Sequence, residues 1–168
     1  MPSWASRVAR QRPSKSKPES GLTASARALR LLARREHTRR ELEAKLAPHV
    51  GDAQELASLL DELARRGWLS ESRVVDQVVN AKRERMGPAR IRHTLLKRGV
   101  SEDLIAPALA TLKDTEIETA RSLRARKFGA PAETIAEQSR QVRFLQARGF
   151  SLGVAMRVVR GRSDVADE

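Results

Sequence analysis

The side chains of this sequence that could do chemistry are overwhelmingly cationic. Lys and Arg number 33 against 21 Asp and Glu, for a formal net charge of +12 over 168 residues. They come in short clusters: Arg34-Arg35, Arg39-Arg40, Lys82-Arg83 with Arg85, Arg90 with Arg92, and Arg124 with Arg126-Lys127. Residues 1–20 carry five cations against Glu19, which is +4 of the total and leaves +8 for the rest, so the folded part is basic in its own right. Such a balance favours an anionic partner, whether nucleic acid, an acidic protein surface or a nucleoprotein, and by itself does not choose among them.

Bond-making chemistry finds little to work with. The three histidines, His37, His49 and His93, lie in different segments without metal-ligand spacing and read as polar surface or loop residues. There is no cysteine, which excludes disulfides, thiolate nucleophiles and Cys-ligated metals and suits a reducing compartment. No tyrosine is present, and no Gly-rich phosphate loop follows a strand. The carboxylates fall at helix caps or beside Arg and Lys at helical spacing, where solvated ion pairs belong. The expectation is a protein that is not an enzyme, with no catalytic residue, cofactor or metal. No run of about 20 apolar residues and no signal-peptide core occurs, so a cytoplasmic protein without membrane attachment is expected.

The elements that must position these cations are helical. Ala, Leu, Arg and Glu dominate, Gly and Pro punctuate the ends of periodic segments, and no stretch alternates with the period of a strand. The segment Gly87 to Leu112 is a short amphipathic helix, an Arg-Gly-Val-Ser turn and a second short helix. Its apolar positions Ile91, Leu95, Ile105, Leu109 and Leu112 are spaced 4, 10, 4 and 3, and Leu42, Leu46, Leu56, Leu60 and Leu63 repeat that spacing 49 residues earlier. Fifty residues later, Arg98-Gly99-Val100-Ser101 returns as Arg148-Gly149-Phe150-Ser151. A fixed period near 50 argues for stacked helical units, because one such unit cannot bury its apolar face alone. The predicted fold is all-α, an elongated, solenoid-like tandem array of three three-helix repeats over residues 23–68, 69–113 and 114–161. A disordered basic tail over 1–22 and a frayed end over 162–168 flank it.

Local signals place the helix ends. Thr38 with Glu41 forms a capping-box pattern, Asp52 with Glu55 another, Ser70 opens the second repeat, and Thr115 with Glu118 is expected to open the third. Gly67 reads as a left-handed cap, and Trp68 after it, like Phe128, is expected to seal a junction between repeats. Pro107 should kink or restart its helix. A long helix from about Ala132 to Arg148 is expected to bury Ile135, Val142 and Leu145.

The Gly-apolar-Ser turns between short helices also suggest a DNA-reading helix-turn-helix, and a stand-alone DNA-binding regulator is the alternative function. Its second helices are poor readers, however. SEDLIAPALATL opens with two acids, and SLGVAMRVV offers only Arg157 to a base edge.

Three blocks in this order and spacing, ALRLLARREHTRRELEAKL (Ala28 to Leu46), LLDELARRGWLSESRVVDQVV (Leu59 to Val79) and GPARIRHTLLKRGVSEDLIAPAL (Gly87 to Leu109), resemble the RecX family of bacterial recombination regulators. The first block is the most specific, through Leu32, Arg35, Glu36, His37, Arg39, Glu41 and Leu42. Where the family commonly has an Asp-x-Arg-Phe-Ala pattern, Ser70-Glu71-Ser72-Arg73-Val74-Val75 keeps an acid and Arg73 and lacks the aromatic. The resemblance implies a monomeric protein of three tandem three-helix repeats that lies in the helical groove of the RecA recombinase filament. It implies inhibition of that filament's ATP hydrolysis and strand exchange, and so modulation of recombination and of the DNA-damage response. Arg73 and the basic clusters named above are the candidate contacts to the nucleoprotein, with DNA touched through nonspecific phosphate contacts.

Overall fold

The computed structural model describes residues 22–161. The expectations for residues 1–22 and 162–168 therefore lie, Leu22 apart, outside the described residues. Within them nine α-helices and one 3₁₀ turn follow one another, with no strand. The first repeat comprises α1 (Ala24–Leu32), α2 (Arg39–Leu46), the 3₁₀ turn Ala47–His49, and α3 (Ala53–Arg65). The second comprises α4 (Glu71–Lys82), α5 (Pro88–Lys97) and α6 (Glu102–Ala110), and the third α7 (Lys113–Phe128), α8 (Ile135–Ala147) and α9 (Leu152–Arg160).

Each trio closes on its own core. In the first, Leu42, Leu46, Leu60 and Leu63 gather under Ala28 of α1. The second centres on Val74, Val75, Ile91, Leu95 and Ile105. Val74 and Val75 are both buried, so at the site of the family's aromatic two β-branched side chains fill the space. The third core is built on Ala120, Leu145, Phe150, Ala155 and Val158. The spaced leucines behave as their period predicts: Leu42 and Leu46, and 49 residues on Ile91 and Leu95, are all fully buried.

Helix starts follow side-chain chemistry in most places. Thr38 and Glu41 complete a capping box, Asp52 accepts from the Gln54 N–H, and Ser70 from the Arg73 N–H. Several expectations are corrected, the Asp52–Glu55 capping box among them, since Asp52 bonds the Gln54 N–H and not that of Glu55. Thr115 does not cap: α7 already starts at Lys113, with only Thr111 and Leu112 between it and α6, and the Thr115 hydroxyl donates to the Leu112 carbonyl at 3.3 Å. The long eighth helix starts at Ile135, behind a capping box of Thr134 and Glu137, and this places Ile135 on the outside with 84% of its surface exposed. Helix α6 runs through Pro107 to Ala110 without the restart that was one of the two expected outcomes; Pro107 and Asp103 are both exposed, so water can satisfy the carbonyl that the proline leaves without a donor. Trp68 seals nothing. The Gly67 cap lets the N–H groups of both Trp68 and Leu69 turn back onto the Leu63 carbonyl, which swings Leu69 into the core and leaves Trp68 outside beneath the Arg66 guanidinium. Phe128 packs edge-on against Phe144 within the third repeat, at 5.3 Å between ring centres.

Candidate nucleoprotein-binding surface

Which cations face outward depends on how the repeats dock, because docking consumes several of them. At the first junction the turn after α5 meets the start of α2. The Thr38 hydroxyl donates to the Arg98 carbonyl at 2.6 Å. The Arg98 guanidinium forks onto Glu41, with Nε to Oε1 at 3.0 Å and Nη2 to Oε2 at 2.8 Å, and also reaches the Glu36 carbonyl at 2.8 Å. Arg35 approaches the same carboxylate from the other side, at 3.2 and 3.3 Å. Arg73 at the start of α4 donates to the Glu36 carboxylate at 2.8 Å. Burial pushes the Glu41 carboxyl up, but hydrogen bonds from Arg98, Arg35 and the Thr38 N–H outweigh it and hold the pKa at about 2.

His37 sits inside this knot, only 3% exposed, and is not the surface residue its spacing suggested. Its Nδ1 lies 2.9 Å from the Arg35 carbonyl, and burial lowers its pKa, which favours the neutral ring with Nδ1–H as donor. The block that carried the family resemblance most specifically is thus a device for joining repeats.

The second junction uses the same places with different bonds. The turn after α8 meets the start of α5, where the Gly87 N–H donates to the Arg148 carbonyl at 2.8 Å and the Ala89 N–H to the Gly149 carbonyl at 3.2 Å. Arg90 donates to the Ala147 carbonyl at 3.2 Å, and Arg148 to the Arg85 carbonyl at 3.3 Å while stacking over Phe144. Arg126 reaches the Glu84 carbonyl at 3.3 Å. Backbones approach so closely that a methyl group at Gly149, whose φ is +91°, would lie 2.5 Å from the Arg90 N and Cβ.

Of the candidate residues, then, Arg35 and Arg73 come together at the first junction and Arg90 and Arg126 at the second, where Arg85 offers its backbone carbonyl and keeps its side chain exposed. Arg40 packs its aliphatic stem against Gly99 at the first. Arg39 pairs with Asp61 at 2.6 Å and Arg92 with Glu102 at 2.8 Å, both exposed pairs of modest worth. Arg124 is half-buried, and its Nε has no hydrogen-bond partner among the described residues. Lys82 is half-buried on α4, one residue before Arg83. Arg83 lines a small groove between the second and third repeats with Glu116, whose carboxyl is pushed up by burial.

Two concentrations of outward positive charge remain. In the third repeat, Lys127, Arg140 and Arg143 surround the Phe128–Phe144 pair in an open groove, with the Arg140 guanidinium 5.4 Å from the Phe128 ring centre. In the first, Arg27, Arg30 and Arg34 line one wall of a cleft of about 280 Å³ and Lys45 and His49 the other, over a floor of Leu31 and Leu46. Only Arg34 of this group belongs to a sequence cluster. The signal that marks the others is helical spacing, since positions 27, 30 and 34 share one side of α1 and the turn that follows it. Among the described residues no group of His, Asp and Glu is arranged to hold a metal, and no helix is long and apolar enough to cross a membrane.

Comparison with known proteins places this geometry among relatives. Family models of the second and third three-helix domains of RecX match residues 70–109 and 114–159. The regulatory protein RecX of Leptothrix cholodnii is 50% identical over 139 residues, spanning 83% of this chain and 88% of that protein. The regulatory protein RecX of Ralstonia nicotianae is 39% identical over 151 residues, spanning 90% and 95%. A crystal structure of RecX from Lactobacillus salivarius matches the fold with a TM-score of 0.72 at 19% identity, over 82% of this chain and 93% of that one. A further crystal structure of a regulatory protein RecX gives 0.70 at 23% identity, over 83% and 72%.

Proposed function

The chain belongs to the RecX family, and from that premise we propose that it is a non-enzymatic regulator that binds the RecA recombinase filament in its helical groove and inhibits ATP hydrolysis and strand exchange there. The observation that carries the reading is the 50% identity to a regulatory protein RecX over 83% of the chain. The architecture supports it: three repeats fixed to one another by dedicated junctions offer a long surface whose basic side chains can engage several protomers of a polymer at once. Such contacts gain from multivalency even where each is weak. The protein acts as a monomer in the cytoplasm, without a cofactor.

The alternative of a stand-alone DNA reader finds no support in the described residues. Helix α6 presents Glu102 and Asp103 at its exposed start, and Glu102 is tied to Arg92. The test is the ATPase rate of the cognate recombinase on single-stranded DNA with substoichiometric amounts of this protein. The rate should fall and filaments should shorten. Unchanged rate and unchanged filament length would refute the proposal.

A further inference from the structure

We propose that the groove between α8 and α9 of the third repeat is the seat of the chain's own acidic segment, residues 162–168. Among the described residues Ile135 is the most exposed large apolar side chain, at 84%. It lines a groove of about 270 Å³ together with Val142, Met156 and Val159, and Arg143 and Arg160 line the same groove. No carboxylate lines it, and neither guanidinium has an ion pair among the described residues. Apolar surface edged by two uncompensated cations calls for an occupant that is both apolar and acidic.

Position and composition select that occupant. Arg160 ends α9, and Gly161, with φ +65°, turns the chain off the helix axis, so the segment departs from the edge of the groove itself. Its sequence is Arg162-Ser163-Asp164-Val165-Ala166-Asp167-Glu168, and positions 164–168 hold three acids and no cation in a chain of net charge +12. Val165 and Ala166 suit the surface around Ile135 and Met156, and the acids on either side of them suit Arg143 and Arg160. The reach suffices: at about 3.3–3.6 Å per residue Val165 extends about 14 Å from Gly161, while Ile135 and Arg143 stand about 12 Å apart along α8. A second copy of the chain would instead bring net positive charge against the same two arginines. Arg143 also lines the neighbouring groove with Lys127, Phe128, Arg140 and Phe144. The seated segment therefore shields one of the two outward concentrations of positive charge, and an anionic partner has to displace it.

The full chain contains no cysteine, so an introduced disulfide reports the contact. Ser139→Cys/Val165→Cys joins an exposed groove position to the segment; Ser122→Cys/Val165→Cys, with Ser122 exposed on α7 and outside the groove, is the control. Under a mild oxidant in dilute solution the first pair should close within one chain about tenfold faster than the second. In the first pair, Asp164→Asn/Asp167→Asn/Glu168→Gln and, separately, Arg143→Gln/Arg160→Gln should cancel that advantage. Removing acids beside a thiol favours the thiolate and by itself speeds oxidation, so a slower reaction in the acid-neutralised variant reports lost docking. Shielding is read with heparin, a sulfated polyanion, on the chain without introduced cysteines. A segment seated about nine-tenths of the time lowers the apparent affinity of a competitor by up to about tenfold. Neutralising the three acids of the segment should therefore raise heparin affinity severalfold more than the charge-matched Glu43→Gln/Glu55→Gln/Glu71→Gln, at exposed positions of the first two repeats. Far-UV melts check that each variant is folded. Equal closing rates in the two pairs would overturn the seat, as would an advantage indifferent to both sets of charges, or disulfides formed between chains, which assign the groove to a second copy. Equal heparin affinity of the two charge-matched variants would overturn the shielding. No recombinase is present, so these outcomes stand apart from those of the filament reading.

Discussion

Replacing Glu41 with Gln keeps the shape of the first junction and removes the one negative charge at its centre. In the folded chain Glu41 has a pKa of about 2 against its usual 4.5, and at about 1.36 kcal/mol per pH unit this sets a ceiling of about 3.4 kcal/mol of stability at neutral pH. The side chain keeps 20% of its surface in water, and screening lowers the figure to about 2 kcal/mol. The loss of the counter-charge to the Arg98 guanidinium, 16% exposed, is already contained in this figure, because Arg98 is the first of the groups that lower the pKa. A loss of about 2 kcal/mol at pH 7 follows, or a fall in Tm of about 4–8 °C for a chain of this size. Because the folded pKa is depressed, the contribution is fully present above about pH 4.5 and lost as pH falls through about 2. Urea unfolding of both proteins between pH 7 and pH 2 should therefore show a gap that is widest above pH 5 and closes toward pH 2. No gap at pH 7, or a gap that stays constant down to pH 2, would refute the assignment of Glu41 as the electrostatic centre of the junction.

Two further outcomes test the packing. Gly149→Ala places a methyl group against the Arg90 backbone at a residue with φ +91°, while Gly67→Ala at φ +70° meets nothing within 4 Å. The first should cost about 3 kcal/mol or more and the second about 1–2 in chemical denaturation, and equal costs would remove close approach from the account of the second junction. Leu145→Ala, at a fully buried position of the third core, should cost about 2–5 kcal/mol, whereas Leu152→Ala, at a side chain 56% exposed, should stay within about 0.5. Thermal melts of the two variants compare them directly.

Most of the fold was legible in periodic signals and in some local ones, although the local pattern Thr115–Glu118 does not cap α7. The 49-residue recurrence of buried leucines announced the repeats, and the Thr38–Glu41 capping box announced the start of α2. Errors arose where a neighbour in space decides. Trp68 is the larger apolar residue, yet the turn geometry of Gly67 sends Leu69 inward. Ile135 fitted the apolar period of α8, but it stands at the helix's first position, beyond the reach of the third core. On the candidate surface, sequence clusters gave a poor guide to outward charge. Arg35 and Arg73 look as free as Arg34 in the sequence, and only the partners Glu41 and Glu36 distinguish them. Arg98 reads as a turn residue because its carboxylate lies 57 positions away. The cleft cations Arg27 and Arg30 stand singly in the chain and converge only once α1 forms, so helical spacing finds them where adjacency does not.

The two junctions together explain the Arg-Gly turn that recurs after α5 and α8. In both, the carbonyl of that arginine, Arg98 or Arg148, accepts from the residue just before the middle helix of the preceding repeat, Thr38 or Gly87. Those donors lie 49 residues apart and the acceptors 50 apart, so the junction repeats along with the cores. Gly99 and Gly149 have φ of +84° and +91° and face Arg40 and Arg90, so each combines a left-handed backbone with an approach that a side chain would block. The position that matches Arg98-Gly99 in the first repeat is His49-Val50, and no preceding three-helix repeat stands against it among the described residues. Val50 there has φ of −125°, an extended conformation open to any residue. At the turn between second and third helices, the Arg-Gly pair therefore occurs in the two repeats that dock on a preceding one and is absent from the first, against which no preceding repeat stands among the described residues. This is what a docking device requires, and it is not what a sequence-reading turn, needed equally in every repeat, would show.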